Sequence, residues 1–185
     1  KTSVGITNDG ERHHGYSLKP VAKRLTEVLR EKKLLAEDRE VVLTDDCVGA
    51  EVKSIISKDG IFLLENVMFR SGETSEDDNE VMEFAKQLHD TTNCNVYVNA
   101  DPVTAHMGHH ASLGPITSLI SGPKVAGFLL TQELTALDNF MRDPHKPVVA
   151  IIGGANVTAK VQAMKNLIVY GKVDRLIFVG GDRKS

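Results

Sequence analysis

A disulfide framework is the first thing this sequence lacks. It has two cysteines, Cys47 and Cys94, each in or beside an apolar, strand-like run, and such thiols are expected to be buried and reduced. That places the chain in the cytoplasm or another reducing intracellular compartment. No apolar run reaches the length of a membrane span and no signal-peptide pattern is present, so no membrane span is expected. Nor is there an excess of positive charge: 22 Lys and Arg stand against 25 Asp and Glu, for a net charge of -3. Nothing in that balance calls for nucleic acid or an anionic membrane as partner. No internal repeat of fixed short period occurs. What remains, 185 residues of which 41% are apolar and 25% charged, suits a globular protein with one well-buried domain, or a domain and part of a second. The chain begins at Lys1 rather than Met, so a longer polypeptide is expected.

Residues 1–16 are rich in glycine and polar side chains and read as loop. From Ser17 as N-cap, with Pro20 in the first turn, Val21, Ala22, Leu25, Val28 and Leu29 make the apolar stripe of a helix. Strands are predicted at 40–44, 61–65 and 96–98. Between them fall a short helix with Val48, Val52, Ile55 and Ile56 on one face, and a longer one over 78–90 with Val81, Phe84, Ala85 and Leu88. The acidic run 73–78 reads as a solvated loop or, alternatively, a docking segment. A His-rich loop runs from 99 to 114, and a long helix is predicted over 125–141, closed by Asp143 and Pro144. Strands alternating with helices predict an α/β protein with a parallel sheet.

The most informative stretch is 147–160. Pro147 leads into Val148-Val149-Ala150-Ile151-Ile152, a run that reads as a strand buried on both faces. Gly153 and Gly154 permit a sharp turn and close approach to a ligand. The helix that follows, with Thr158 as N-cap and Lys160 in its first turn, offers N–H groups and positive charge to a phosphate. A helix (Val161, Met164, Leu167, Ile168) and a strand (176–179) complete a βαβ unit. A bare unit of this kind leaves a sheet edge open and apolar surface uncovered, and so requires more chain or a neighbour.

Taken together and in order, Tyr16-Ser17-Leu18-Lys19-Pro20-Val21-Ala22, Asp46-Cys47-Val48-Gly49, Leu63-Leu64-Glu65-Asn66-Val67, Thr104-Ala105-His106, Ala126-Gly127-Phe128-Leu129-Leu130 and Ala150-Ile151-Ile152-Gly153-Gly154-Ala155 resemble phosphoglycerate kinase, from Thr2 to about Asp182. The resemblance implies two Rossmann-like domains joined by a helix, here a three-layer parallel-sheet domain plus a partial second α/β domain. One holds 3-phosphoglycerate and the other Mg-ADP or Mg-ATP. It further implies an N-terminal-like domain over 1–123 without its first strands, an interdomain helix and linker over 124–146, and only the start of the nucleotide domain over 147–185.

The family's cations are largely missing. Thr2-Ser3-Val4-Gly5-Ile6-Thr7 resembles the family's Ser-His-Leu-Gly-Arg-Pro, with Ile6 in the arginine's place. Asn66-Val67-Met68-Phe69 resembles Asn-Leu-Arg-Phe, with Met68 for arginine. Thr104-Ala105-His106-Met107-Gly108-His109 resembles Thr-Ala-His-Arg-Ala-His, with Met107 for arginine. On the nucleotide side, Asn156 replaces the lysine of Gly-Gly-Ala-Lys-Val, while Lys160 matches the family's second lysine. Asp182 stands where a third glycine belongs, and its charge repels a phosphate. The resemblance therefore leaves Asn66, His106 and His109 as remnants of a substrate cleft. Gly153, Gly154 and Lys160 remain as cofactor-binding candidates, and no catalytic residue is assigned.

A charge-assisted hydrogen bond contributes roughly 1.5–3 kcal/mol, so three lost arginines remove on the order of 5–9 kcal/mol from recognition of a phosphorylated acid. That is about three to six decades of affinity. Losing a donor to the transition state removes about another 10²–10³ in rate. Arg70 and Arg12 are the candidate substitutes. Met68 and Met107 fit two readings, gap-filling core residues or an apolar surface for a protein partner. His106, His109 and His110, with His13 and His14, have no carboxylate or cysteine at ligand spacing, and no metal is assigned. The expectation is a catalytically degenerate relative acting as a structural or interaction component of a larger assembly, with a cytoskeletal or assembly-bound location as an alternative to a free one. It would need no cofactor, bind Mg-ADP or Mg-ATP weakly, and bind 3-phosphoglycerate weakly or not at all. The alternative is a working kinase seen in part.

Overall fold

The computed structural model describes residues 14–153, 158–171 and 173–179. Two compact units divide the chain, residues 1–127 and 128–185, and each is taken by itself.

The first unit opens with a 3-10 turn at His14–Tyr16 and helix α1 (Lys19–Glu31). Leu18 is the cap residue of α1 and makes no side-chain cap bond. The expected cap, Ser17, accepts the Lys19 N–H at a long 3.3 Å. The stronger partner comes from far along the chain: the buried Glu65 accepts the Leu18 N–H at 2.8 Å and the Ser17 hydroxyl at 2.6 Å. A carboxylate at that place satisfies an orphan donor and faces the positive end of the helix.

Strand β1 (Val42–Leu43) pairs in parallel with β2 (Phe62–Leu63), across helix α2 (Ala50–Ile56). Helix α3 (Asp78–Thr92) is capped by Asp77, whose carboxylate accepts the Asn79 N–H, and it ends at Asn93 in the left-handed conformation. Strand β3 (Tyr97–Asn99) pairs in parallel with β4 (Lys124–Ala126), and helix α4 (Pro115–Leu119) lies between them in sequence. Val81, Phe84, Ala85 and Leu88 of α3 meet Cys47, Ala111, Ile116 and Ile120 in one core cluster, with Tyr97 and Cys94 packed against it. Cys47 is buried and Cys94 half-buried; both are free thiols.

The second unit holds α5 (Phe128–Arg142), β5 (Val149–Gly153), α6 (Thr158–Val169) and β6 (Arg175–Val179). β5 and β6 pair in parallel from Val149 opposite Arg175 to Gly153 opposite Val179.

This is an α/β fold with parallel strands, in three sheets of two strands each among the described residues. Three local readings need correction. Residues 125 and 126 belong to strand β4, and the long helix starts only at Phe128; the turn is fixed by Gly127, whose N–H goes to the Asn99 carbonyl at 2.7 Å. The run 148–152 is not buried on both faces, since Ile151 is 67% exposed: a two-stranded sheet has too little cover. Thr158 is the first residue of α6 rather than the residue before it.

Candidate functional site

The remnants of the expected substrate cleft fall on two turn-rich segments of the first unit. Asn66 caps a 3-10 turn at Val67–Phe69: its Oδ1 accepts the Met68 N–H at 3.0 Å, and its Nδ2 donates to the Tyr16 carbonyl at 3.1 Å. Asn66 and Met68 are thus joined by a local cap, with Met68 half-buried. A second 3-10 turn, Ser71–Glu73, follows at once. Across from it runs 104–114, a chain of turns closed by the Met107 N–H on the Thr104 carbonyl and the His110 N–H on the Met107 carbonyl. Gly114 is required in that loop, because a Cβ on it would lie 1.8 Å from the Gly108 carbonyl oxygen. Met107 is 38% exposed, and His106 and His109 are exposed as well. Met107 is exposed and Met68 half-buried, so neither is among the fully buried core residues.

The two segments are tied together. His109 Nε2 lies 2.6 Å from the Ser75 carbonyl, and its Nδ1 lies 3.7 Å from the Asp78 carboxylate. Glu73, expected in a solvated acidic loop, is instead buried, with only 2% of its surface exposed. Its carboxylate accepts the Ser112 hydroxyl at 2.6 Å and the Ser112 N–H at 3.1 Å. Burial pushes the Glu73 carboxyl above its ordinary pKa, against the two Ser112 bonds and the nearby His110, which pull it down. The remainder of the acidic run, Glu76–Asp78, is exposed. Composition gave no sign of which acidic residue turns inward; the one local signal is Gly72, on which Phe84 of α3 packs directly.

Of the candidate substitute cations, Arg12 lies outside the described residues. Arg70 is engaged: its guanidinium forms an ion pair with Asp46, with Nε 3.1 Å from Oδ1 and a second, closer contact from Nη2 to Oδ2. That carboxylate holds the Arg70 proton more firmly than usual. The neighbouring Cys47 thiol is pushed up to about 12, first by burial and then by Asp46, so it stays protonated and unreactive.

On the nucleotide side, Gly153 ends β5, and a Cβ there would lie 2.5 Å from the Val179 carbonyl oxygen. Its missing side chain is accounted for by contact with β6. Lys160 sits in the first turn of α6; Ile6, His13, Gly154 and Asn156 lie outside the described residues. Among the described residues, no three His, Cys, Asp or Glu side chains gather as a metal would need, and no helix is long and apolar enough to cross a membrane.

The sequence model of the phosphoglycerate kinase family matches residues 4–183. Phosphoglycerate kinase from Citrifermentans bemidjiense is 40% identical over 176 residues, which cover 93% of this chain and 39% of that one. Among solved structures, phosphoglycerate kinase from Pyrococcus horikoshii is similar with a TM-score of 0.72 over 96% of this chain and 41% of its own, at 22% identity, a likeness of fold alone. The enzyme from Coxiella burnetii is similar with a TM-score of 0.62 at 28% identity, over 95% of this chain and 39% of its own. The chain thus spans about two-fifths of the length of the relatives it matches.

Proposed function

This chain belongs to the phosphoglycerate kinase family, and from that premise we propose that its substrate face no longer grips a phosphorylated acid and serves as an interaction surface in a larger assembly. One observation carries the reading: methionines stand at two positions where the resemblance asks for arginine, while the nearest cation in sequence, Arg70, is already committed to Asp46. Phosphoryl transfer depends on cations at fixed places. To replace Met68, Arg70 would have to leave a charge-assisted pair and expose Asp46 to the incoming anion. Half-buried and exposed thioethers suit an apolar partner surface better than a carboxylate or phosphate. The uncovered strands and helices of the second unit call for more chain or a neighbour to cover them.

For the nucleotide half we propose at most weak binding of Mg-ADP or Mg-ATP by Gly153, Gly154 and Lys160, with Asn156 in the place of the family's lysine. The domain division at 1–123, 124–146 and 147–185, and a reducing intracellular location, belong to the same proposal.

Calorimetry with 3-phosphoglycerate tests the reading. No heat is expected at millimolar ligand, and the M68R/M107R double variant is expected to gain binding. Micromolar binding by the unaltered chain would overturn the proposal. A second reading, a working phosphoglycerate kinase of which this chain is a part, is favoured by the 40% identity over 176 residues. ATP formation from 1,3-bisphosphoglycerate at an ordinary rate would establish it.

A further inference from the structure

Glu73 is the one residue of the acidic run 73–78 that is buried, and its contacts converge on three consecutive residues of another segment. Its carbonyl accepts the Ala111 N–H at 3.0 Å. Its two carboxylate oxygens are taken by the hydroxyl and the N–H of Ser112. His110 Nδ1 lies 4.0 Å from Oε1. Tyr97 of β3 adds an outer tie, its hydroxyl donating to the Ser112 carbonyl at 2.9 Å.

From these contacts we infer that Glu73 is a positioning residue, a buried clamp that fixes the register of segment 106–114, and with it Met107 and His109, against the turn following Asn66 and Met68. A buried carboxylate costs free energy that an apolar side chain of the same size would not, so its place here is better explained by register than by stability. A slip of one residue would leave the charge buried without the Ser112 N–H and hydroxyl that now serve its two oxygens. The tight approach of Gly114 to the Gly108 carbonyl makes the clamped loop intolerant of such a slip. Only the functional meaning of the clamp depends on the proposed reading of these segments as a binding face; the clamp itself is tested without a ligand, so the two can fail separately.

The titratable groups facing Glu73 are His110 on the clamped segment and Tyr97 on β3. Helix α4 carries no titratable side chain, α3 presents Phe84 to the adjacent Gly72, and Arg70 is held by Asp46. Protonating the carboxylate turns one acceptor oxygen into a donor, so the pair of bonds to Ser112 must rearrange.

Amide hydrogen exchange on the full chain tests the clamp. In Glu73→Ala, the amides of Ala111 and Ser112 should exchange at least about tenfold faster than in the unaltered chain, while those of Ala85 and Leu88 in α3 change far less. In Glu73→Gln, protection at neutral pH should largely return, since the amide can accept the Ser112 N–H and donate to its hydroxyl. An equal change in all four amides, or none, would overturn the inference, for then Glu73 supports the fold without positioning this segment. Should Glu73→Ala not fold, Glu73→Gln decides by its pH profile. Protection of 110–112 should vary through the acid range in the unaltered chain and stay flat in the variant. Identical profiles would overturn the inference equally.

Discussion

The two units follow the same rule of alternation, yet only one of them acquires an interior. In residues 1–127, α3 lays four apolar side chains against residues from the loop after β1 and from the segment around α4, and Ala85 and Ala111 lose all contact with solvent. In the described part of residues 128–185 only Leu130 and Val148 are buried apolar residues, while Phe128 is 93% and Phe178 68% exposed. Strand length is not the difference, since β5 and β6 are the longest strands among the described residues. Cover is: a parallel pair needs material on both faces, and one β-α-β crossover with α5 leaves Ile151 and Phe178 exposed. The same shortage shows on a smaller scale in the first unit, where Val98 and Val125 of β3 and β4 remain exposed.

The contrast is broken most directly by a matched pair of truncations. Phe84→Ala empties a closed core and is expected to cost about 3–5 kcal/mol, enough to abolish the cooperative transition of the first unit in urea. Phe178→Ala removes a ring already in solvent and is expected to change stability by no more than about 0.5 kcal/mol, with any gain appearing as reduced self-association. If the two changes cost alike, Phe178 is covered in solution, by more chain or by a neighbour.

The stripe of α3 made its core face legible in advance, because a 3.6-residue period admits one solution when the apolar residues are Val81, Phe84, Ala85 and Leu88. Strand boundaries were less legible. Val41 is buried but lies outside the paired residues, so hydrophobic runs overstate the length of the ladder. Strand β4 was hidden because Val125 and Ala126 extend the apolar pattern of the helix that follows, and only the pairing with β3 assigns them. In the site, local motifs such as the Asn66 cap follow from neighbours in the chain. Glu65 and Glu73 do not, for their partners are 39 to 48 residues away. No periodicity reports a carboxylate that turns inward to serve a distant N–H.

Glu65 gives the next effect in size. Its carboxylate serves the Ser17 hydroxyl and the Leu18 and Asn66 N–H groups, so Glu65→Ala removes a helix cap and leaves donors unpaired. A loss of about 2 kcal/mol is expected, read as a fall in the thermal midpoint with early fraying of α1 in hydrogen exchange. An unchanged midpoint would mean that water replaces the carboxylate without penalty, and that this end of α1 is less enclosed than its burial implies.

The smallest effect sharpens the contrast through pH. Glu73 in the first unit has its carboxyl raised by burial, so its contribution is fully present below the unfolded-state value and is lost as pH rises through the folded one. Asp174 in the second unit is the opposite case: its carboxyl is lowered, first by the hydrogen bond from Lys146 and then by the Val148 N–H, each at 2.7 Å. Its contribution is present above the unfolded-state value and is lost as pH falls through the lowered one. Glu73→Gln should therefore flatten a slope that declines with rising pH, and Asp174→Asn one that declines with falling pH. The two slopes should also part company in salt. Asp174 is solvent-facing and its pairing with Lys146 should fade as ionic strength rises, whereas the Glu73 slope, set by burial, should persist. Equal salt sensitivity would show that the carboxylate of the first unit is reached by solvent after all, and that the interior of that unit is less complete at Glu73 than at Ala85.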